Sequence, residues 1–117
     1  GLVVDLSQTF RRVVRVTADA VTAEPGVTHA ELNAALAPHG RRFAPDPASS
    51  ATCTVGGMVA TDASGGNAFK HGYTREYVRG LRVVWDSGEV STVHRPTSVV
   101  ENPSPVVADN GQCTVDN

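Results

Sequence analysis

The chain has 117 residues, enough for one small domain with a single modest core and too short for two. Apolar residues make up 40% and charged residues 19%, with a net charge of −2 and scattered Lys and Arg. That is the balance of a folded soluble domain, without the clustered positive charge of a nucleic-acid footprint or the roughly 20-residue apolar run of a membrane span.

The start, Gly-Leu-Val-Val-Asp-Leu, has no Met and no charged-then-apolar leader. It reads as a piece of a longer protein. Leu2–Leu6 is expected to form a short buried strand, and Val13–Val16 a second. Thr17–Ala20 turns the chain into an antiparallel partner, Val21–Glu24, closed by Pro25-Gly26. Thr28-His-Ala-Glu31 spells a capping box, in which Thr28 and Glu31 satisfy each other's backbone amides. The helix that follows runs to about Pro38, with Leu32, Ala35 and Leu36 on one face, and His39-Gly40 ends it.

Residues 41–54 lack periodicity and read as a loop stiffened by Pro45 and Pro47. Gly56 to about Asp62 forms a short helix with Met58 and Val59 turned inward, broken by Gly65-Gly66-Asn67. Leu81–Trp85 is a strand, Asp86-Ser87-Gly88 a tight turn, and Glu89–Val93 its hairpin partner. From residue 94 on, prolines and polar residues remove any pattern, and 94–117 reads as an irregular tail or linker. The fold class is therefore α+β: a small, mainly antiparallel sheet flanked by helices. No G-x-G-x-x-G follows a strand and no P-loop is present, which argues against a Rossmann or Walker-type site.

The stretch PDPASSATCTVGGMVATDASGG, Pro45 to Gly66, carries the chemistry. Adjacent Gly56 and Gly57 allow a ligand close to the backbone, and amides opening a helix favour an anion. Phosphate binding is the chemistry this predicts. Cys53 and Cys113 offer no metal-ligand spacing, and two free thiols in a reducing compartment are expected rather than a disulfide. His29 reads as a solvent-facing first-turn residue, His39 as a helix-end residue, and His71 as a loop residue capping a turn. His94 has no evident partner. Trp85 is expected in the core, and Tyr73 and Tyr77 on one face of a helical turn.

Taken in order, PDP-x-S, TVGGMVATDASG, KHG-Y-T-R-E-Y-V and L-R-V-V-W-D-S-G-E resemble the FAD-binding (PCMH-type) domain of the vanillyl-alcohol oxidase/p-cresol methylhydroxylase flavoproteins. Within that family the likeness is to FAD-linked 2-hydroxyacid dehydrogenases and oxidases of the D-lactate dehydrogenase and glycolate oxidase kind. The resemblance implies that residues 1–93 are the second lobe of a two-lobed flavin domain, with FAD held non-covalently between the lobes. By matching position, Pro47, Ser49 and Thr54 approach the flavin and pyrophosphate, and Gly56 and Gly57 offer amides to the phosphates. Ala60, Ser64 and Gly65 line the same channel, and the Val78 backbone meets the adenine.

Cys53 stands one residue before the Thr of TVG, where relatives with a flavin-linked cysteine have it two before, so covalent attachment is not expected. Asp62, where relatives often carry Asn, is expected to point away from phosphate or to cap a neighbour. The resemblance also implies partners beyond these residues: the first lobe with its glycine-rich loop, a substrate domain and, in some relatives, an iron–sulfur domain. The parent is expected to be a cytoplasmic flavin-dependent oxidoreductase of a 2-hydroxy acid such as lactate or glycolate, with peripheral membrane association left open. These residues alone are expected to be catalytically silent. The alternative is a structural or assembly module of the same fold that does not bind flavin.

Overall fold

The structure, a computed structural model, describes residues 1–6 and 8–95, together with the backbone of 113–116. Strand β1 (Val13–Val16) pairs antiparallel with β2 (Ala20–Ala23), with a register shift between Val13 and Arg15. The turn between them is closed by Thr17, whose amide and hydroxyl both donate to the Ala20 carbonyl at 2.8 and 3.0 Å.

Helix α1 (His29–Leu36) starts at the expected capping box. The Glu31 amide donates to the Thr28 hydroxyl at 3.2 Å, and the Thr28 amide to the Glu31 carboxylate at 2.9 Å. That second bond, aided by Arg11, holds the Glu31 carboxyl below its ordinary value. A 3-10 turn, Ala37–His39, tightens the helix end, and Gly40 at φ +67° closes it.

Helix α2 (Val55–Thr61) and two single turns, α3 (Ala68–His71) and α4 (Thr74–Tyr77), lead into β3 (Val78–Val84). A turn at Gly88 then returns the chain as β4 (Val90–His94). The last described strand, β5 (Cys113–Asp116), enters the middle of the sheet, giving the order β1-β2-β5-β3-β4 with every pairing antiparallel. This corrects the reading of 94–117 as an irregular tail for residues 113–116. Residues 96–112 and 117 lie outside the described residues.

One core joins β2 to the two longer helices. It contains Val21, Ala23, Val27, Leu32, Leu36, Phe43, Val55 and Met58, with Val59, Tyr77, Val78 and Leu81 packed partly against it. Removing side chains such as Leu32 and Leu36 from water contributes roughly 2 kcal/mol each. Phe43 is the centrepiece: the Tyr77 ring meets it edge-on at 5.5 Å.

Two expectations fail at the surface. Leu2–Leu6 is not a buried strand: Leu2 and Val3 are 91% and 90% exposed, and among the described residues no strand runs beside them. The chain instead bends at residues 8–10, and the Leu6, Thr9 and Phe10 carbonyls surround Gly26, whose amide donates to the Phe10 carbonyl at 2.8 Å. Trp85 is not core either. It is 52% exposed, past the end of β3, and its indole N–H donates to the Ser91 hydroxyl at 2.7 Å.

Candidate cofactor-binding face

The loop 45–54 is held by the start of α1. The His29 amide donates to the Cys53 carbonyl at 3.0 Å and the Ala30 amide to the Ser50 carbonyl at 3.2 Å. These are helix-start donors with no intrahelical acceptor, so the loop satisfies them. Within the loop, the Ser49 carbonyl collects the amides of Thr52 and Cys53, both at 2.8 Å. A backbone bridge joins Asp46 to Gly65. Gly65 sits at φ +109°, and a Cβ there would run into the Asp46 carbonyl, so only glycine fits. Pro47, Ser49, Thr54 and Gly65 are thereby placed on connected backbone.

At the opening of α2, the amides expected to face phosphate have acceptors within the chain. The Val55 amide donates to the Val27 carbonyl at 2.7 Å, and the Gly56 amide to the Pro25 carbonyl at 2.9 Å. The Met58 amide takes the Thr54 carbonyl at 2.9 Å. The Gly57 amide is capped by Thr54 Oγ1 at 3.2 Å. Neither glycine amide is free for an anion. Gly56 has a packing reason instead, since a Cβ there would lie 2.7 Å from Pro25 Cβ.

What α2 turns outward is small. Gly57, Ala60 and Thr61 are exposed on the side opposite Val55 and Met58, and Ser64 follows half-buried. Thr61, not singled out by the motif, shares this side at helical spacing, which is the signal that finds it. Its hydroxyl donates to the Gly57 carbonyl at 2.9 Å. Thr54 Oγ1 accepts from Gly57, which leaves its own proton for an outside acceptor.

Asp62 caps a neighbour, as expected. In the left-handed region at φ +51°, it accepts the Arg75 amide at 2.9 Å and pairs with the Arg75 guanidinium at 3.0 Å. Its charge is thus countered locally.

Val78 stands apart from the other candidates. It lines a cavity of about 460 Å³ with Val59, Leu81 and Val93, rimmed by Arg75 and Arg95. None of Pro47, Ser49, Thr54, Gly56, Gly57, Ala60, Ser64 and Gly65 lines that cavity.

The histidine reading changes at His29, which is 5% exposed rather than solvent-facing. The Asn33 side-chain carbonyl accepts the Phe43 amide at 2.7 Å, so its NH₂ is what meets His29 Nε2 at 3.0 Å. Nε2 is therefore the unprotonated nitrogen, and the ring joins α1 to the Phe43 loop. His71 contributes its carbonyl to the Tyr77 hydroxyl at 2.7 Å. Cys53 is a free thiol packed partly against the core. Among the described residues, no group of His, Cys, Asp and Glu could hold a metal ion, and no helix is long and apolar enough to cross a membrane.

The chain is 38% identical over 105 residues to D-2-hydroxyglutarate dehydrogenase of Pantoea ananatis, covering 87% of this chain and 10% of that protein. It is 37% identical over 70 residues to glycolate oxidase subunit GlcD of Escherichia coli K12, covering 60% of the chain and 14% of the relative. With D-lactate dehydrogenase of Archaeoglobus fulgidus the identity is 44% over 68 residues, covering 58% and 15%. The chain thus spans about a tenth to a seventh of the length of these relatives.

A solved structure of alkyldihydroxyacetonephosphate synthase superposes with a TM-score of 0.67 at 21% identity, over 91% of this chain and 21% of that one, and so shares the fold. The profile of the FAD binding domain matches residues 1–94. The chain belongs to the FAD binding domain family of flavoproteins, among relatives that include 2-hydroxyacid dehydrogenases and oxidases.

Proposed function

We propose that residues 1–93 form the second lobe of the flavin domain in an oxidoreductase of a 2-hydroxy acid, with D-2-hydroxyglutarate, D-lactate and glycolate as the substrate candidates. The observation that carries this reading is the family match over residues 1–94, which spans the face built by loop 45–54 and α2. When bound, the flavin would supply the two-electron oxidation of the substrate's α-carbon.

The fit to FAD is through hydroxyls and bare backbone. Ser49, Thr54 and Ser64 would donate to phosphate or ribityl oxygens, and the small side chains at Gly57 and Ala60 would let the cofactor lie close. Asp62, held by Arg75, would not repel it. Pro47 and Gly65 would hold the loop in place, and the Val78 backbone would meet the adenine end. In this reading these residues would bind cofactor and carry no proton-transfer role. That role falls to parts of the parent protein beyond these residues: a first lobe, a substrate domain and, in some architectures, an iron–sulfur domain. The setting proposed for the parent is cytoplasmic.

One observation favours a second reading, a module of this fold that holds no flavin by itself: the Gly56 and Gly57 amides are already occupied.

The test is the full-length protein containing this stretch, purified and examined by absorbance. Expected is a flavin spectrum that bleaches anaerobically on adding one of the three 2-hydroxy acids, with flavin content reduced in Thr54→Val. A colourless protein that does not take up FAD supports the second reading. A flavin that none of the hydroxy acids bleaches overturns the substrate class.

A further inference from the structure

The sheet has two outer strands, and only one is guarded. β1 carries a register shift, includes Arg15 and is preceded by Arg12, features that discourage pairing with another chain. β4, Val-Ser-Thr-Val-His, has no proline, no acidic or Lys/Arg side chain and no break in its register with β3.

Its hydrogen-bond parity is fixed. The Trp85 amide donates to the Glu89 carbonyl at 2.9 Å and the Arg95 amide to the Arg79 carbonyl at 2.9 Å. Odd-numbered residues of this strand therefore turn their backbone groups toward β3. Val90, Thr92 and His94 turn theirs outward, and among the described residues no strand pairs with them. Glu89 and Arg95 flank the strand at equal distance from Thr92 and share one face. Neither takes part in an ion pair among the described residues, and the Arg95 guanidinium donates through Nη1 to the Glu76 carbonyl at 2.6 Å.

We propose that two copies of this chain pair through β4, antiparallel about Thr92, doubling the sheet. In that register Thr92 stands opposite the partner's Thr92 and Val90 opposite the partner's His94, so outward donors meet outward acceptors. The same register sets Glu89 against the partner's Arg95 at both ends. Shifting the centre by one or two residues shortens the overlap and separates the charges. The two-fold charge match is what selects a second copy as the occupant. The half-exposed Val90 and Val93, with Val84 and Trp85 of the same hairpin, supply apolar surface beside the seam.

The experiment is sedimentation of the 117-residue chain across a concentration series at low salt. Expected is a reversible monomer–dimer equilibrium. Thr92→Pro removes an outward N–H that β3 does not use, so the monomer's circular dichroism stays unchanged while dimer dissociation rises about tenfold or more. Glu89→Arg weakens the dimer by bringing like charges together, and adding Arg95→Glu restores it. A chain that stays monomeric at every concentration overturns the proposal. So does a dimer indifferent to Thr92→Pro, or a charge reversal that the double variant fails to rescue.

Discussion

The β1–β2 and β3–β4 hairpins belong to one sheet, yet they are held by different physics. Every residue of β2 is buried, under α1, α2 and Phe43. At the far end, Val84, Trp85, Val90 and Val93 are about half exposed. The β2 end owes its strand to burial. The β3–β4 end owes it to the Gly88 turn and an unbroken backbone ladder. Similar apolar runs in the sequence thus reach similar secondary structure by separate routes.

Large-to-small substitutions test this contrast most strongly. Phe43→Ala empties the contact with Tyr77 and should cost about 3–5 kcal/mol, enough to unfold a domain of this size. Trp85→Ala should cost less than about 1 kcal/mol. Urea unfolding followed by far-UV circular dichroism measures both, and equal losses would break the comparison.

Next in size is the pair of glycines. Gly56→Ala forces a methyl against Pro25 and should destabilise by about 1–3 kcal/mol. Gly57→Ala meets only the Thr54 hydroxyl at 3.2 Å on an exposed helix side, and should stay within about 1 kcal/mol of the parent. The same denaturation curves decide whether the two neighbours differ.

The smallest effect is a slope with pH. Glu24 is buried and accepts from the Arg12 side chain at 2.7 and 3.0 Å and from its backbone amide at 2.9 Å, which holds its carboxyl below the ordinary value of 4.5. A lowered carboxyl stabilises the fold above its unfolded value and loses that contribution as pH falls through the folded one. The thermal midpoint of the parent should therefore drop more steeply on acidification below about pH 5 than that of Glu24→Gln. Parallel curves would show that the pair at the β1–β2 end contributes nothing.

Local signals carried far in the sequence. Thr28 with Glu31, Gly40, and the Asp-Ser-Gly turn each settle their geometry within four residues, and all are found as read. What depended on distant chain was not legible. The first-turn amides of α2 look available until Pro25 and Val27 are folded against them. His29 looks solvent-facing until the Phe43 loop closes over it, and Leu2–Leu6 looks like a strand although nothing among the described residues lies alongside. Asp62 was legible for a chemical reason: a carboxylate in a stretch read as binding phosphate needs a cation or a cap, and Arg75 supplies both.

The central position of β5 has a consequence for how the chain acquires its structure. The strands on either side of it are two local hairpins, each able to zip up alone from near neighbours. β5 follows both in sequence and must thread into the gap between them, pairing Val115 with Val21 and Val78 at once. During synthesis both hairpins leave the ribosome before their common neighbour exists. Completion of the sheet is thus a late, long-range closure, the kind of step that sets a slow folding rate and leaves facing edges open while it waits.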